Sequence, residues 1–348
     1  MEYTTKDLQG FIHGLAWLGV EDHELTRFPT SAKPKLDPAL WLMATMTSGV
    51  RIRFRARCDV ILLDVSNLIP NTNPRMTQVA ACGFDLYADG EYFDSFVPPL
   101  PGKGDFLGFL NVDGDREHDY EIHFPYVSTV TLNALALENR RSNEEPTIAL
   151  HARPYSTPGR VVFYGSSITH GANADRPGLI YPALVARDLN VDFINLGFGG
   201  CGKGEPVVAD LLASIPDVAA YVLDWGINLC STPEVNLIHD RYHPLLEKLK
   251  NAHPDVPILL VNMQGSAGGK LDKMMPGNLE ILRKEVRRVY DAEIATGNKK
   301  IWYLDGRDIF NGPGGFDFTI DRVHPHQGGF YKYAEKITPI VKEMLRIS

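Results

Sequence analysis

The spacing of apolar residues changes character near residue 155, and that change restricts the chain to folds with two differently built parts. Between residues 40 and 138 the period is two. Val50, Ile52, Phe54 and Ala56 alternate with Arg51, Arg53, Arg55 and Arg57, which puts apolar and charged side chains on opposite faces of one strand. Such alternation marks an antiparallel strand with one face in water, so the four arginines are expected to be solvated. Val60 to Val65, Tyr120 to Phe124 and Val127 to Leu137 read as further strands. Gly83 to Phe93 reads as a hairpin turning at Asp89-Gly90, a pair that tolerates positive φ. Residues 139 to 159 are polar and dotted with proline, although Thr147 to His151 can return as one more strand. Residues 1–155 are therefore expected to form an all-β sandwich or jelly-roll domain, with Tyr87, Tyr92 and Phe93 in its core.

Beyond this point short β-branched runs are separated by helix-length segments. Candidate strands are Val161 to Tyr164, Val191 to Leu196, Ala219 to Trp225, Ile258 to Asn262 and Lys300 to Leu304, with a last helix from Phe330 to Arg346. Strands that alternate with helices run parallel, because each crossover must return the chain to the same end of the sheet. Residues 156–348 are expected to form an α/β domain, a flavodoxin-like doubly wound five-stranded parallel sheet. A length of 348 residues suits two such domains better than one core.

In an open parallel sheet, ligands bind beyond the carboxyl ends of the strands, and the unusual loops of the second half fall there. The first strand ends in Gly165-Ser166-Ser167, a tight turn that holds the Ser167 hydroxyl where an acyl group can reach it. Gly197-Phe198-Gly199-Gly200-Cys201-Gly202 follows the second strand, Gly226-Ile227-Asn228 the third, and Asp321-Arg322-Val323-His324 the fifth. Acyl transfer through serine needs a base for the hydroxyl proton and an orienter for the base, for which His324 and Asp321 are the candidates. It also needs donors aimed at the developing oxyanion. Glycines let backbone amides approach closely, and Asn228 adds a neutral side-chain donor. Each motif alone is weak, since Asp-x-x-His is often a helix cap and Gly-x-Asn a plain turn. Four in order at four strand ends point to a serine esterase or acyltransferase.

These motifs resemble the SGNH hydrolase superfamily, also called GDSL esterases, over roughly residues 160 to 346. Its Gly-Asp-Ser block is matched by Gly165-Ser166-Ser167, its second-block glycine by Gly200, its Gly-x-Asn-Asp block by Gly226 to Leu229, and its Asp-x-x-His block by Asp321 and His324. The resemblance implies the SGNH hydrolase fold, catalysis by Ser167, His324 and Asp321, and an oxyanion hole from the Ser167 and Gly200 N–H groups and the Asn228 side chain. Ser166 replaces a non-catalytic aspartate. Leu229 replaces the aspartate after the asparagine, which is expected to loosen that loop. Gly83-Phe84-Asp85-Leu86-Tyr87 resembles the GxDLY signature of the β-domain that precedes the catalytic domain in one branch of the superfamily. That branch resembles carbohydrate deacetylases and includes an acyltransferase type of polyketide tailoring. The implied reaction is hydrolysis of a short-chain acyl ester, above all acetyl, of a carbohydrate or small metabolite through an acyl-serine. The alternative is acyl transfer to a sugar or secondary-metabolite hydroxyl.

Other readings explain less. Gly197, Gly199 and Gly202 spell G-x-G-x-x-G with Asp224 about 20 residues on, the pattern of dinucleotide binding, but this leaves Ser167, Asp321 and His324 without a role. His324 and His326 form His-x-His beside Asp321 without a third ligand at metal spacing, so no metal and no cofactor are expected. A non-catalytic carbohydrate-binding protein would require all four blocks to be vestigial. Cys201 is the rival nucleophile. With Cys58, Cys82 and Cys230 it shows no CxxC pair, which fits a reducing compartment. Phe198, Tyr181 and Trp225 are candidates to shape an acyl pocket, Trp225 being equally suited to the core. Gly265 to Met275 is either a lid, an acceptor-binding loop or an ordinary connection. The formal net charge of −8 argues against nucleic acid and anionic lipid. No apolar run reaches the ~20 residues of a membrane helix, and Met1 to Asp7 lacks a signal pattern. The expectation is a cytoplasmic protein whose partner is a small-molecule or carbohydrate ester.

Overall fold

The computed structural model describes all residues except 20–23, 72–73, 142–144, 150–152, 232, 265–276, 311–313 and 348. The chain divides into two compact units, one of Met1–Pro34, Trp41–Tyr155 and Asp175–Gly178, the other of Lys35–Leu40, Ser156–Ala174 and Leu179–Ser348. The excursions at 35–40 and 175–178 carry no mark in the composition of the chain.

The first unit contains strands β1 (Glu2–Thr4), β2 (Ile12–His13), β3 (Arg51–Arg57), β4 (Val60–Pro70), β5 (Phe84–Ala88), β6 (Glu91–Phe96), β7 (Gly104–Asn111), β8 (His118–His123), β9 (Ser128–Glu138) and β10 (Thr147–Ala149). Short helices α1 (Pro38–Ala44), of which the part from Trp41 on belongs to this unit, and α2 (Gln78–Cys82) interrupt them. The strands form two antiparallel sheets, β1-β9-β4-β7 and β10-β3-β8-β5-β6, with β2 beside β3. Ile52, Phe54, Ala56, Leu86 and Ile122 of one sheet and Ile61, Leu63, Leu135 and Leu137 of the other belong to one buried cluster, so the unit is a β-sandwich. The hairpin turns where expected, with Asp89 and Gly90 both at positive φ, 52° and 88°. Strand β7 escapes sequence reading because glycines at 104 and 108 and apolar residues on both faces erase the alternation.

Two expectations about side chains fail. Arg51 and Arg53 are only 1% and 8% exposed, while Arg55 is half-buried and Arg57 exposed. The register sets Arg53 opposite Glu121 and Arg55 opposite Asp119. Arg53 Nε lies 2.9 Å from Glu121, Arg55 makes two 2.9 Å bonds to Asp119, and the Arg53 guanidinium lies 4.0 Å from the Tyr155 ring centroid. Acids on a strand 64 residues further along leave no trace in local alternation. Tyr87 is core, but Tyr92 and Phe93 are 42% and 44% exposed, and Arg176 lies 3.5 Å over the Tyr92 ring. The acid of the Gly83-to-Tyr87 motif is fully buried within this unit. Asp85 accepts from Ser95 Oγ at 2.8 Å, the Gly178 N–H at 2.9 Å and Arg176 Nη1 at 3.2 Å.

The second unit holds β11 (Arg160–Gly165), β12 (Asp192–Gly197), β13 (Val218–Asp224), β14 (Ile258–Val261) and β15 (Ile301–Leu304), in the order β12-β11-β13-β14-β15 and parallel throughout. Its helices are α3 (Ser167–His170), α4 (Tyr181–Leu189), α5 (Pro206–Ala213), α6 (Leu237–Ala252), α7 (Asn278–Ala295) and α8 (Gln327–Leu345). This is the expected doubly wound order. The chain leaves β11 first to one side and then to the other, so the carboxyl ends of β11 and β13 border the switch point. The central strands are buried because both faces are covered, which is why they read as continuous apolar runs.

Candidate active site

Strand β11 runs directly into α3. Across Val161 to His170, Ser167 is the one residue that is not buried. Ser166, where the related block has aspartate, is the N-cap of α3, and its Oγ accepts from the Ile168 N–H at 3.3 Å. The substitution therefore keeps the capping oxygen. Gly171 closes the four-residue helix at φ 104°. A helix that short orients Ser167 and leaves its N–H without an intrahelical acceptor.

The candidate base, His324, lies on the loop after β15. His324 Nε2 lies 2.9 Å from Ser167 Oγ, and its Nδ1 lies 3.0 Å from Asp321 Oδ2. Asp321 Oδ1 also accepts from the backbone N–H groups of Val323 at 3.1 Å and His324 at 2.8 Å. Burial acts to raise the Asp321 carboxyl, but the hydrogen bonds from His324 outweigh it and hold the acid below its ordinary value. Arg322 sits between them at φ 67°, a left-handed conformation that turns the loop sharply enough for the carboxylate to face its own imidazole. Residues 321 and 324, read as one motif, thus meet Ser167 across 157 positions of sequence.

The glycine loop after β12 commits its amides selectively. Phe198 N–H donates to Gly165 O at 3.0 Å, Gly199 N–H to His170 Nδ1 at 3.3 Å and Cys201 N–H to Phe198 O at 3.0 Å. Gly202 N–H donates to Asn228 Oδ1 at 3.0 Å, and Gly204 N–H to the Tyr164 hydroxyl at 2.8 Å. Among the described residues the Gly200 N–H, at φ 73°, has no such acceptor. The Gly202 bond fixes the Asn228 amide with its oxygen toward the glycine loop, which leaves Nδ2 as a donor. The N–H groups of Ser167 and Gly200 and the Asn228 Nδ2 are thus three donors that the described residues leave uncommitted. Leu229 does not loosen this turn. It is fully buried, its N–H bonds Gly226 O at 2.8 Å, and Asn278 Nδ2 bonds Cys230 O at 2.7 Å, so the turn is held by packing and hydrogen bonds.

Burial and hydrogen bonding place the remaining pocket candidates. Phe198, Tyr181 and Trp225 are all buried in the core, with Trp225 stacked on Tyr242 at 4.9 Å and 11°, so none of them walls an open acyl site. Cys201 is partly buried, and desolvation pushes its thiol up, away from the thiolate that a nucleophile needs. His326 caps α8, accepting from the Gly328 N–H through Nδ1 at 2.9 Å while Nε2 pairs with Asp317 O, so both nitrogens are engaged. Gly202 serves close approach rather than a phosphate, since a Cβ there would lie 2.3 Å from Gly165 O. Asp224, the presumed ribose partner in the dinucleotide reading, is turned inward to Thr169 Oγ1 at 3.2 Å and the Tyr181 hydroxyl at 3.3 Å. The loop Gly265 to Met275 lies outside the described residues.

Sequence reasoning passed over the residues that fix these loops from behind. Asn195 accepts from Gly197 N–H and donates to Thr169 O, both at 2.8 Å, and His170 accepts from Gly199. They sit on a strand end and a single helical turn, too short for a periodic pattern. Asp224 is a buried acid with no cation beside it among the described residues, and desolvation pushes its pKa up to about 7, against the pull of its bonds to Thr169 and Tyr181.

Comparison with known proteins gives the family. Residues 159–342 match the profile of the GDSL-like Lipase/Acylhydrolase family, and residues 1–139 match GxDLY, the N-terminus of Esterase_SGNH_hydro-type proteins. No curated protein matches the chain. Among solved structures, a Bacteroides ovatus protein described as a GDSL-like lipase is 25% identical, with a TM-score of 0.83 over 100% of this chain and 98% of its own. A salicylyl-acyltransferase from a tetracycline biosynthetic pathway is 20% identical, with a TM-score of 0.82 over 100% of this chain and 99% of its own. A family two carbohydrate esterase from Clostridium thermocellum, solved with cellohexaose, is 15% identical, with a TM-score of 0.63 over 86% of this chain and 94% of its own. The last two show the shared fold. The chain belongs to the GDSL-like lipase/acylhydrolase family and is an SGNH-type esterase with a GxDLY N-terminal region.

Proposed function

We propose that the protein cleaves a short-chain acyl ester, acetyl in the first instance, of a carbohydrate or small metabolite through an acyl-Ser167 intermediate. The observation that carries this reading is the single imidazole of His324, within 2.9 Å of Ser167 Oγ and 3.0 Å of Asp321 Oδ2. His324 Nε2 takes the Ser167 proton as Oγ attacks the ester carbonyl, and Asp321 stabilises the imidazolium. The oxyanion is received by the Ser167 and Gly200 N–H groups and Asn228 Nδ2. Collapse breaks the bond to the alcohol, which leaves with the proton from His324. Water then gives a proton to His324 as it attacks the acyl carbon, and collapse breaks the bond to Ser167 Oγ, which takes that proton back from His324 as the acid is released.

The second reading replaces that water by a bound alcohol and makes the protein an acyltransferase. It draws on the salicylyl-acyltransferase, which matches the chain along its whole length. Turnover of p-nitrophenyl acetate with and without cello- or xylo-oligosaccharides separates the two. Equal release of nitrophenol and acetate is expected of the esterase, and acetylated sugar at the expense of acetate would make the protein a transferase. A wild type that releases no nitrophenol under either condition and resists a phosphonofluoridate contradicts both.

A further inference from the structure

Behind the Ser167–His324 contact, a line of buried side chains runs from the nucleophile helix to the loop that carries the base. Thr169 Oγ1, on α3, lies 3.1 Å from the Tyr181 hydroxyl at the start of α4. Tyr181 stacks on Tyr333 of α8, with ring centroids 5.2 Å apart and planes at 27°. The Tyr333 hydroxyl donates to Gln264 Oε1, and Gln264 Nε2 donates to the Val323 carbonyl, inside the Asp321–His324 motif. Thr169, Tyr181, Tyr333 and Gln264 are all buried. Gln264 is held in turn by the buried Arg283, which donates to Met263 O at 3.3 Å and to Gln264 O at 3.1 Å.

The bonds of Asp321 to Val323 and His324 stiffen the loop internally, but they move with it and leave its distance from Ser167 open. The Gln264 amide ties the loop to the segment just after β14, which Arg283 holds through Met263 O and Gln264 O. We infer that Gln264 is a positioning residue for acyl transfer, setting the His324-to-Ser167 distance by holding the Val323 carbonyl; this rests on the reading of Ser167 as nucleophile. A side-chain amide suits the task because it accepts from Tyr333 and donates to Val323 at once. Misplacing a reacting group by ~1 Å costs on the order of 10²-fold in rate.

Three substitutions test this. Gln264→Glu keeps the acceptor for Tyr333 and loses the donor to Val323, Gln264→Leu loses both, and Tyr333→Phe removes only the hydroxyl behind Gln264. Each variant is measured for p-nitrophenyl acetate kinetics, for the rate of phosphonofluoridate labelling of Ser167, and for Tm. The Gln264 variants are expected to lose about 10- to 100-fold in kcat with KM within about twofold, and to label more slowly by the same factor. Tyr333→Phe is expected to lose about 3- to 10-fold in both rates, and adding it to Gln264→Leu to cost nothing more, because both act through one hydrogen-bonded line. If neither Gln264 variant folds, Tyr333→Phe decides: an unchanged labelling rate overturns the inference. So does Gln264→Glu with wild-type rates, or a fall in Tm with no split between kcat and KM. In these cases active wild type and inactive Ser167→Ala leave the esterase reading intact, whereas a wild type that neither turns over nor labels overturns that reading itself.

Discussion

In the proposed mechanism Ser167 is an ordinary hydroxyl made reactive by what lies around it. Removing it or His324 is expected to lower kcat by about 10⁴- to 10⁶-fold, the range in which members of such a set act as a unit. Steady-state kinetics of Ser167→Ala and His324→Ala check this, and a loss below tenfold would show that neither carries the reaction. Asn228→Ala is expected to lower kcat by about 10²- to 10³-fold with little change in KM, because a donor aimed at the oxyanion acts in the transition state. An effect confined to KM would make it a substrate-binding residue. Asp224 gives a stability prediction of definite sign. Its folded pKa is raised from 3.8 to about 7, so between these values the folded protein holds a proton that the unfolded chain has lost. The contribution is fully present below about pH 4 and is lost as pH rises through about 7. Asp224→Asn should flatten that slope in urea titrations and raise stability at pH 8 by up to about 4 kcal/mol. A variant with the wild-type slope would show that Asp224 ionises freely.

At the scale of elements, what could be read ahead of the structure divides by the range of the interaction. Strands β11 to β14 are largely buried and announce themselves as apolar runs, β15 at the sheet edge is only partly buried, and the turn at Asp89-Gly90 is announced by its own backbone preference. The loop motifs carry chemistry in residue type, so Ser167, Asp321 and His324 were identifiable as candidates before their meeting was. What stayed hidden depends on partners far along the chain: Arg53 on Glu121, Gln264 on Val323, and Asp85 on Arg176 and Gly178. Leu229 shows the opposite error, since comparison with an acidic consensus implied a weak turn where burial supports it. Asp85→Ala leaves Arg176 and the Gly178 N–H without their acceptor. Because Arg176 is partly exposed and the main loss is a buried acceptor shared with Ser95, the cost is expected to be about 1–3 kcal/mol, read as a lower denaturant midpoint at unchanged slope. A loss below about 1 kcal/mol would show that water replaces the carboxylate.

At the scale of the molecule, a β-sandwich and a doubly wound sheet occur on one chain, and the match to the Bacteroides ovatus protein covers 100% of this chain and 98% of that one. The chemistry assigned to the site draws on residues of the second unit alone, all of them at the carboxyl ends of its strands, as the switch-point rule requires. Among the described residues no helix is long and apolar enough to cross a membrane. The claim on which everything else depends is that Ser167 takes the acyl group. Intact-mass and peptide-level mass spectrometry after a fluorophosphonate, on wild type, Ser167→Ala and Cys201→Ala, tests it most directly. One adduct on the Ser167 peptide in wild type and Cys201→Ala, with none in Ser167→Ala, is the predicted result. An adduct that survives in Ser167→Ala, or a wild type that is never labelled, would contradict it.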